Sequence, residues 1–130
     1  MKKLVIILIA FIMLGSLSCK KTTDTPADVT YTVKYSVVSI GDVVVDTIIY
    51  LNSAGVEETL VNQNQFSHSF ESVNSYHGKL HLSGKTNNGS CDYGLQILEV
   101  GEIIKDNSSG SQSTVPVVFS FSAEYSYSED

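Results

Sequence analysis

The 130-residue chain has no arginine and no tryptophan, and only two cysteines, two prolines and three histidines. Without arginine there is no planar fork to grip a phosphate or carboxylate bidentately. Eight lysines against fourteen acids leave no basic stripe that could displace counterions from a polynucleotide, so no nucleic-acid partner is expected. The lack of tryptophan argues against a sugar-stacking site. Two further things are scarce. No window after residue 18 repeats its apolar residues at a helical period, and the one unbroken apolar run, Leu4 to Leu14, has eleven residues. A membrane-spanning helix needs about 20.

That run lies behind Lys2 and Lys3 and ahead of Gly15, Ser16, Leu17, Ser18 and Cys19. A basic start, a short apolar stretch and a zone of small residues make a signal peptide. Two peptidases fit the same bond. Ser16 and Ser18 suit an ordinary signal peptidase, while Leu17-Ser18-Cys19 resembles the end of a loose bacterial lipobox of the Bacteroidetes type, with lysines after the cysteine. The expectation is cleavage after residue 18 and lipid attachment at Cys19, which anchors the protein to a membrane of the bacterial cell envelope. A free or paired thiol is the alternative. Residues 19–28 then form the lipidated terminus and a polar tether, and residues 29–130 one domain with room for a single core. In this mature chain six lysines face fourteen acids.

From Val29 the pattern becomes strict alternation. Val29, Tyr31, Val33, Tyr35 and Val37 share one face, with Thr30, Thr32, Lys34 and Ser36 on the other, as in a half-buried strand. Gly41-Asp42 punctuates, and a β-branched run from Val43 to Leu51 follows. Further strands are expected near 56–62, 66–73, 79–86, 90–99, 102–106 and 114–126, with Asn88-Gly89 as a hairpin turn, since both residues tolerate positive φ. Seven or eight short antiparallel strands at this spacing describe an all-β, immunoglobulin-like sandwich, with a closed barrel as the competitor.

The stretches "VTYTVKYSV", "TIIYLNSAGVEE", "FSHSF", "GKLHLSG" and "GLQILEVGEIIKDNSSG" resemble, in sequence and spacing, MmpS-type proteins and their lipoprotein relatives. The resemblance covers about eighty residues and implies a small extracytoplasmic β-sandwich held at a membrane. Mycobacterial members serve as accessory subunits of lipid transporters, so it also implies an envelope transporter as partner. Leu95 stands where the family's repeated pattern has a cysteine, and the anchor here is a lipid instead of a transmembrane helix.

Little points to chemistry, and neither catalytic residues, cofactor nor metal is expected. His77 and His81 would share a face on a helix, but the alternation of Leu80 and Leu82 makes this segment a strand with His81 beside Lys79 and Ser83. His68 runs in phase with Phe66 and Phe70 and should lean on the core. Glu57 and Glu58 are adjacent in a strand and point to opposite faces, so they cannot share a proton. Cys91 reads as a buried packing group, and Asp92 beside it raises a thiol pKa. Phe119, Phe121, Tyr125 and Tyr127 make a stripe down the last strand that reads as core packing, with a ligand platform as the alternative. Tyr125 and Tyr127, near its end, are the candidate partner-binding aromatics.

Overall fold

The computed structural model describes residues 26–129, which form six antiparallel strands in one sheet and no helix. They are β1 (Thr30–Leu51), β2 (Glu57–Val61), β3 (Gln65–Val73), β4 (Ser75–Glu99), β5 (Glu102–Ser113) and β6 (Val117–Ser128). The axis is a pair of very long strands. β1 and β4, of 22 and 25 residues, are paired from Tyr31↔Glu99 through to Tyr50↔Leu80. β3 flanks the first half of β1 and β2 the second, while β6 flanks the first half of β4 and β5 the second. One half of the sheet therefore reads β3-β1-β4-β5 across its width and the other β2-β1-β4-β6.

A straight strand of this length would extend about 70 Å, far beyond any core that a chain of this size can build. The pair is instead creased at its middle, where Gly41 faces Gly89 and Asp42 faces Asn88. Gly41 has φ 85°, and a Cβ there would lie 2.6 Å from the Asn88 carbonyl oxygen. A Cβ on Gly89 would lie 2.2 Å from the carbonyl oxygen of Ile40. Only two glycines let the backbones cross this closely. Beyond the crease the halves lie against each other. The Tyr35 hydroxyl donates to the Leu51 carbonyl at 2.9 Å, and the space over Gly78 is filled by the side chains of Val33 and Leu95.

Two bulges keep the apolar face turned inward along the bent strands. In β1 the buried side chains fall on odd positions from Tyr31 to Val45, then on even positions at Ile48 and Tyr50, with Leu51 also buried at the strand's end. The switch occurs at Asp46, an extra residue in the ladder with β4. In β4 they are even from Tyr76 to Thr86 and odd from Cys91 to Ile97, and the extra residue is Asn87. Inserting one residue moves every following side chain to the other face.

The expected face of the first strand is confirmed, with Val33, Tyr35 and Val37 fully buried. Three expectations are corrected. The sheet has six strands, because the segments expected as separate on either side of Gly41 and of Asn88-Gly89 are continuous. Asn88-Gly89 is thus no hairpin turn but half of the crease. Residues 107–111, in the gap left between the strands expected over 102–106 and 114–126, lie within β5, and in the gap between 73 and 79 only Asn74 falls between strands. Val100-Gly101 does turn the chain, with φ of 50° and 84°, both positive as the tight hairpin turn requires.

Candidate functional site

Because β1 and β4 double back, their outer ends meet at one end of the domain, opposite the crease. Asn74 clamps the chain there. Its backbone N–H donates to the Val29 carbonyl at 2.8 Å and its side-chain oxygen accepts from the Val29 N–H at 2.8 Å. Its side-chain amide donates to Asp28 at 2.9 Å, and its carbonyl accepts from the Glu129 N–H at 3.4 Å. Asn74 holds φ 59°, which asparagine tolerates better than most residues. Asp28 and Glu129, near the two ends of the described residues, thus meet at one residue. Cys19, the expected lipid attachment point, lies outside the described residues.

Beside this clamp an open cleft of about 560 Å³ runs between Phe70 and Ser72 on β3, Tyr76 on β4, Tyr127 on β6 and the turn at Asn52. The turn is tightly built. Asn52 accepts through its side-chain oxygen from the N–H groups of Ala54 (2.9 Å) and Val56 (3.1 Å), and its amide donates to Glu58 at 2.7 Å. The Tyr50 hydroxyl donates to the other Glu58 oxygen at 2.5 Å. These bonds, Tyr50 first and Asn52 second, hold the Glu58 carboxyl below its ordinary range, and the same contact raises the Tyr50 phenol.

The opposite wall is aromatic. Tyr31, Tyr76 and Tyr127 form a triangle with ring centroids 5.0, 5.8 and 5.7 Å apart, two contacts edge-to-face and one stacked. Tyr31 and Tyr76 are buried, which raises both phenols, while Tyr127 is 43% exposed. Tyr125, two residues earlier on the same face of β6, is half-buried and packs against the core. Of the two candidate aromatics the structure therefore places Tyr127 at the surface of the cleft and Tyr125 at the margin of the core. Hydroxyls, ring faces and the His77 imidazole line this cleft, groups that can hold a partner.

His77, which also lines the cleft, meets Glu124 at 2.8 Å, and Lys79 pairs with Glu57. The remaining chemical groups are engaged elsewhere. Glu57 and Glu58 do point apart. Cys91 is free and fully buried, takes a hydrogen bond from the Ser39 hydroxyl at 3.3 Å, and has its thiol pushed up by burial and further by Asp92. His68 is half-buried among Tyr35, Tyr50, Phe66 and Phe70, stacked on Tyr35 with 9° between the rings. Its phase with Phe66 and Phe70 signalled that setting, but the two tyrosines come from another strand. Among the described residues no group of three His, Cys, Asp or Glu side chains is placed to hold a metal ion. Compared with known proteins, the chain matches no family model and no curated sequence.

Proposed function

We propose that the protein is an envelope lipoprotein whose bent sheet is an immunoglobulin-like β-sandwich serving as a small binding module. In this reading Cys19 carries the acyl chains, and residues 20–28 form a short polar tether. One observation supports it above the others. The chain joins the domain at Val29, tied to Asn74, at the same end as the tyrosine-lined cleft. A tether of nine residues reaches roughly 30 Å when fully extended, so this end stays close to the bilayer. The resemblance to MmpS-type proteins adds an accessory role beside a membrane transporter.

A second reading, an adhesive or structural module without a transporter, is favoured by the closed core and by sheet edges left free. Val33, Leu80, Leu82, Leu95 and Ile97 are sealed from solvent where a lipid-handling module would open between the layers. Both readings share the anchor, which is tested directly. Two or three acyl chains, at about 0.8 kcal/mol per buried methylene, hold a protein at a bilayer essentially permanently. Cys19→Ala should therefore move the protein from the membrane to the soluble fraction. Mass spectrometry of the wild-type membrane fraction should find an acylated peptide starting at Cys19. A peptide retaining residues 1–18, or one starting at Cys19 without acyl mass, overturns the reading.

A further inference from the structure

We infer that β6 is a self-pairing edge, and that two copies of this chain join β6 to β6 in antiparallel register about Ala123. The inference stands on the sheet alone and does not depend on the anchor. Among the described residues four strands, β2, β3, β5 and β6, each pair on one side only and so present free N–H and C=O groups on the other. Such edges invite further strands unless they are short, bulged or charged.

Three of the four carry these protections. β2 has five residues and begins with two glutamates. β3 has nine and carries Glu71. β5 is as long as β6, but an extra residue at Ile104 breaks its ladder, and Lys105 sits opposite buried Ile97 on the inward face. β6 has the fewest of them. It runs twelve residues without a bulge, and its single charge, Glu124, is occupied by His77. Its inward face is also left incomplete, because Phe121 and Tyr125 are half-buried and Tyr127 is exposed.

The sequence of β6 fits itself. With Ala123 opposite its own copy, Phe121 falls opposite Tyr125 and Phe119 opposite Tyr127, so four aromatic pairs flank a small centre. On the outward face Ser122 meets Glu124 and Ser120 meets Ser126, with no like charges opposed. Competing registers are worse. Moving the centre to Glu124 sets the two carboxylates against each other, and moving it to Ser122 puts Phe121 opposite alanine. A centre between residues sets rings of one copy against the exposed serines of the other. The isologous pair makes one sheet of eight strands across the two copies, β2-β1-β4-β6 continued by its mirror order.

Cross-linking in membranes of cells producing the full chain tests this. In the stated register the two copies of Ser122 are diagonal neighbours about 7 Å apart on the outward face. Ser122→Cys with a short bismaleimide should give a band of twice the monomer mass, and Ser108→Cys, on the outward face of β5, should not. Adding Ser120→Lys and Ser126→Lys to Ser122→Cys opposes lysine to lysine and should lower the dimer fraction several-fold, with the melting temperature of the fold unchanged. Co-production with a chain carrying Ser120→Glu and Ser126→Glu together with Ser122→Cys should restore it as a mixed dimer. The inference is overturned if Ser122→Cys gives no dimer, if Ser108→Cys links equally well, if the lysine pair has no effect, or if the product has the mass of a different protein.

Discussion

β5 and β6 hang from the two halves of the same strand and are equal in length, yet they are held by different forces. β6 sends Phe119 and Ala123 into the core, and Phe119 stacks on Tyr93 with centroids 5.7 Å apart. β5 buries none of its own residues. It is held by its ladder to β4 and by polar contacts such as Gln96 to Asp106 at 3.3 Å. The difference shows two ways of ending a sheet. A strand kept by side-chain burial has an apolar inward face and remains attractive to another strand, whereas one kept by backbone hydrogen bonds can be polar on both faces and bulged, and so stays solitary.

The largest expected effect comes from emptying the β6 contribution. Phe119→Ala should cost about 3 to 5 kcal/mol, as removing a buried ring does. Asn107→Ala, on β5 opposite Leu95, should stay within about 0.5 kcal/mol. Equal shifts in denaturant midpoint for the two variants would erase the contrast. A smaller effect follows from adding one methyl group beside each strand. At Gly84, a Cβ meets the Val44 carbonyl oxygen at 2.4 Å and the Phe119 ring at 2.6 Å, so Gly84→Ala should cost about 1 to 3 kcal/mol. At Gly110 on β5 the nearest atom, at 2.5 Å, is the Asp92 carboxylate, which can swing into solvent. Gly110→Ala should be close to silent in thermal melts.

Alkali provides a test that should not distinguish the edges. Burial pushes the Tyr35 phenol up to about 12, from an ordinary value of 10.0. The unfolded chain thus loses this proton first, and between those two values it binds fewer protons than the folded one. The stability from Tyr35 is complete below about pH 10 and falls as pH rises through the folded value, by at most about 1.4 kcal/mol per unit. Denaturant midpoints should decline across that window in parallel for the wild type and the β5 and β6 variants. Smallest is Thr86→Val, opposite Val117 at the start of β6. The Thr86 hydroxyl is fully buried without a hydrogen-bond partner. Exchanging it for a methyl of the same shape should be neutral or raise stability by about 1 kcal/mol. A clear loss in calorimetry would mean that the hydroxyl has a partner in solution.

Local patterns were legible in the sequence, and pairings were not. The alternation from Val29 to Val37 named the buried face correctly, because a half-buried strand writes its facing into every second residue. The break at Val100-Gly101 was legible as the gap between the strands expected over 90–99 and 102–106, and Cys91 as a core group. Gly41-Asp42 and Asn88-Gly89 each carry turn chemistry, and only their juxtaposition across the sheet makes them a crease. That juxtaposition is non-local, so neither segment announces it. Residues 107–111 misled for a related reason. Their composition is that of a loop, and strand status comes from the hydrogen bonds offered by β4. At the candidate site, Tyr127 was legible as the exposed end of an aromatic stripe. Its stacking on Tyr76 depends on the ladder that sets the two opposite each other.

The crease also governs how the molecule assembles in time. The hairpin between β1 and β2 can close locally at Leu51↔Glu57, but β1 meets its long partner only after β4 exists, and Tyr31↔Glu99 joins residues from opposite ends of the domain. Folds dominated by such distant pairings reach the native state in milliseconds to seconds, far slower than helical bundles. The first strand must therefore wait, with Tyr31, Val33 and Tyr35 uncovered, until nearly the whole chain is present. During that interval its apolar face is a hazard that the finished molecule no longer carries.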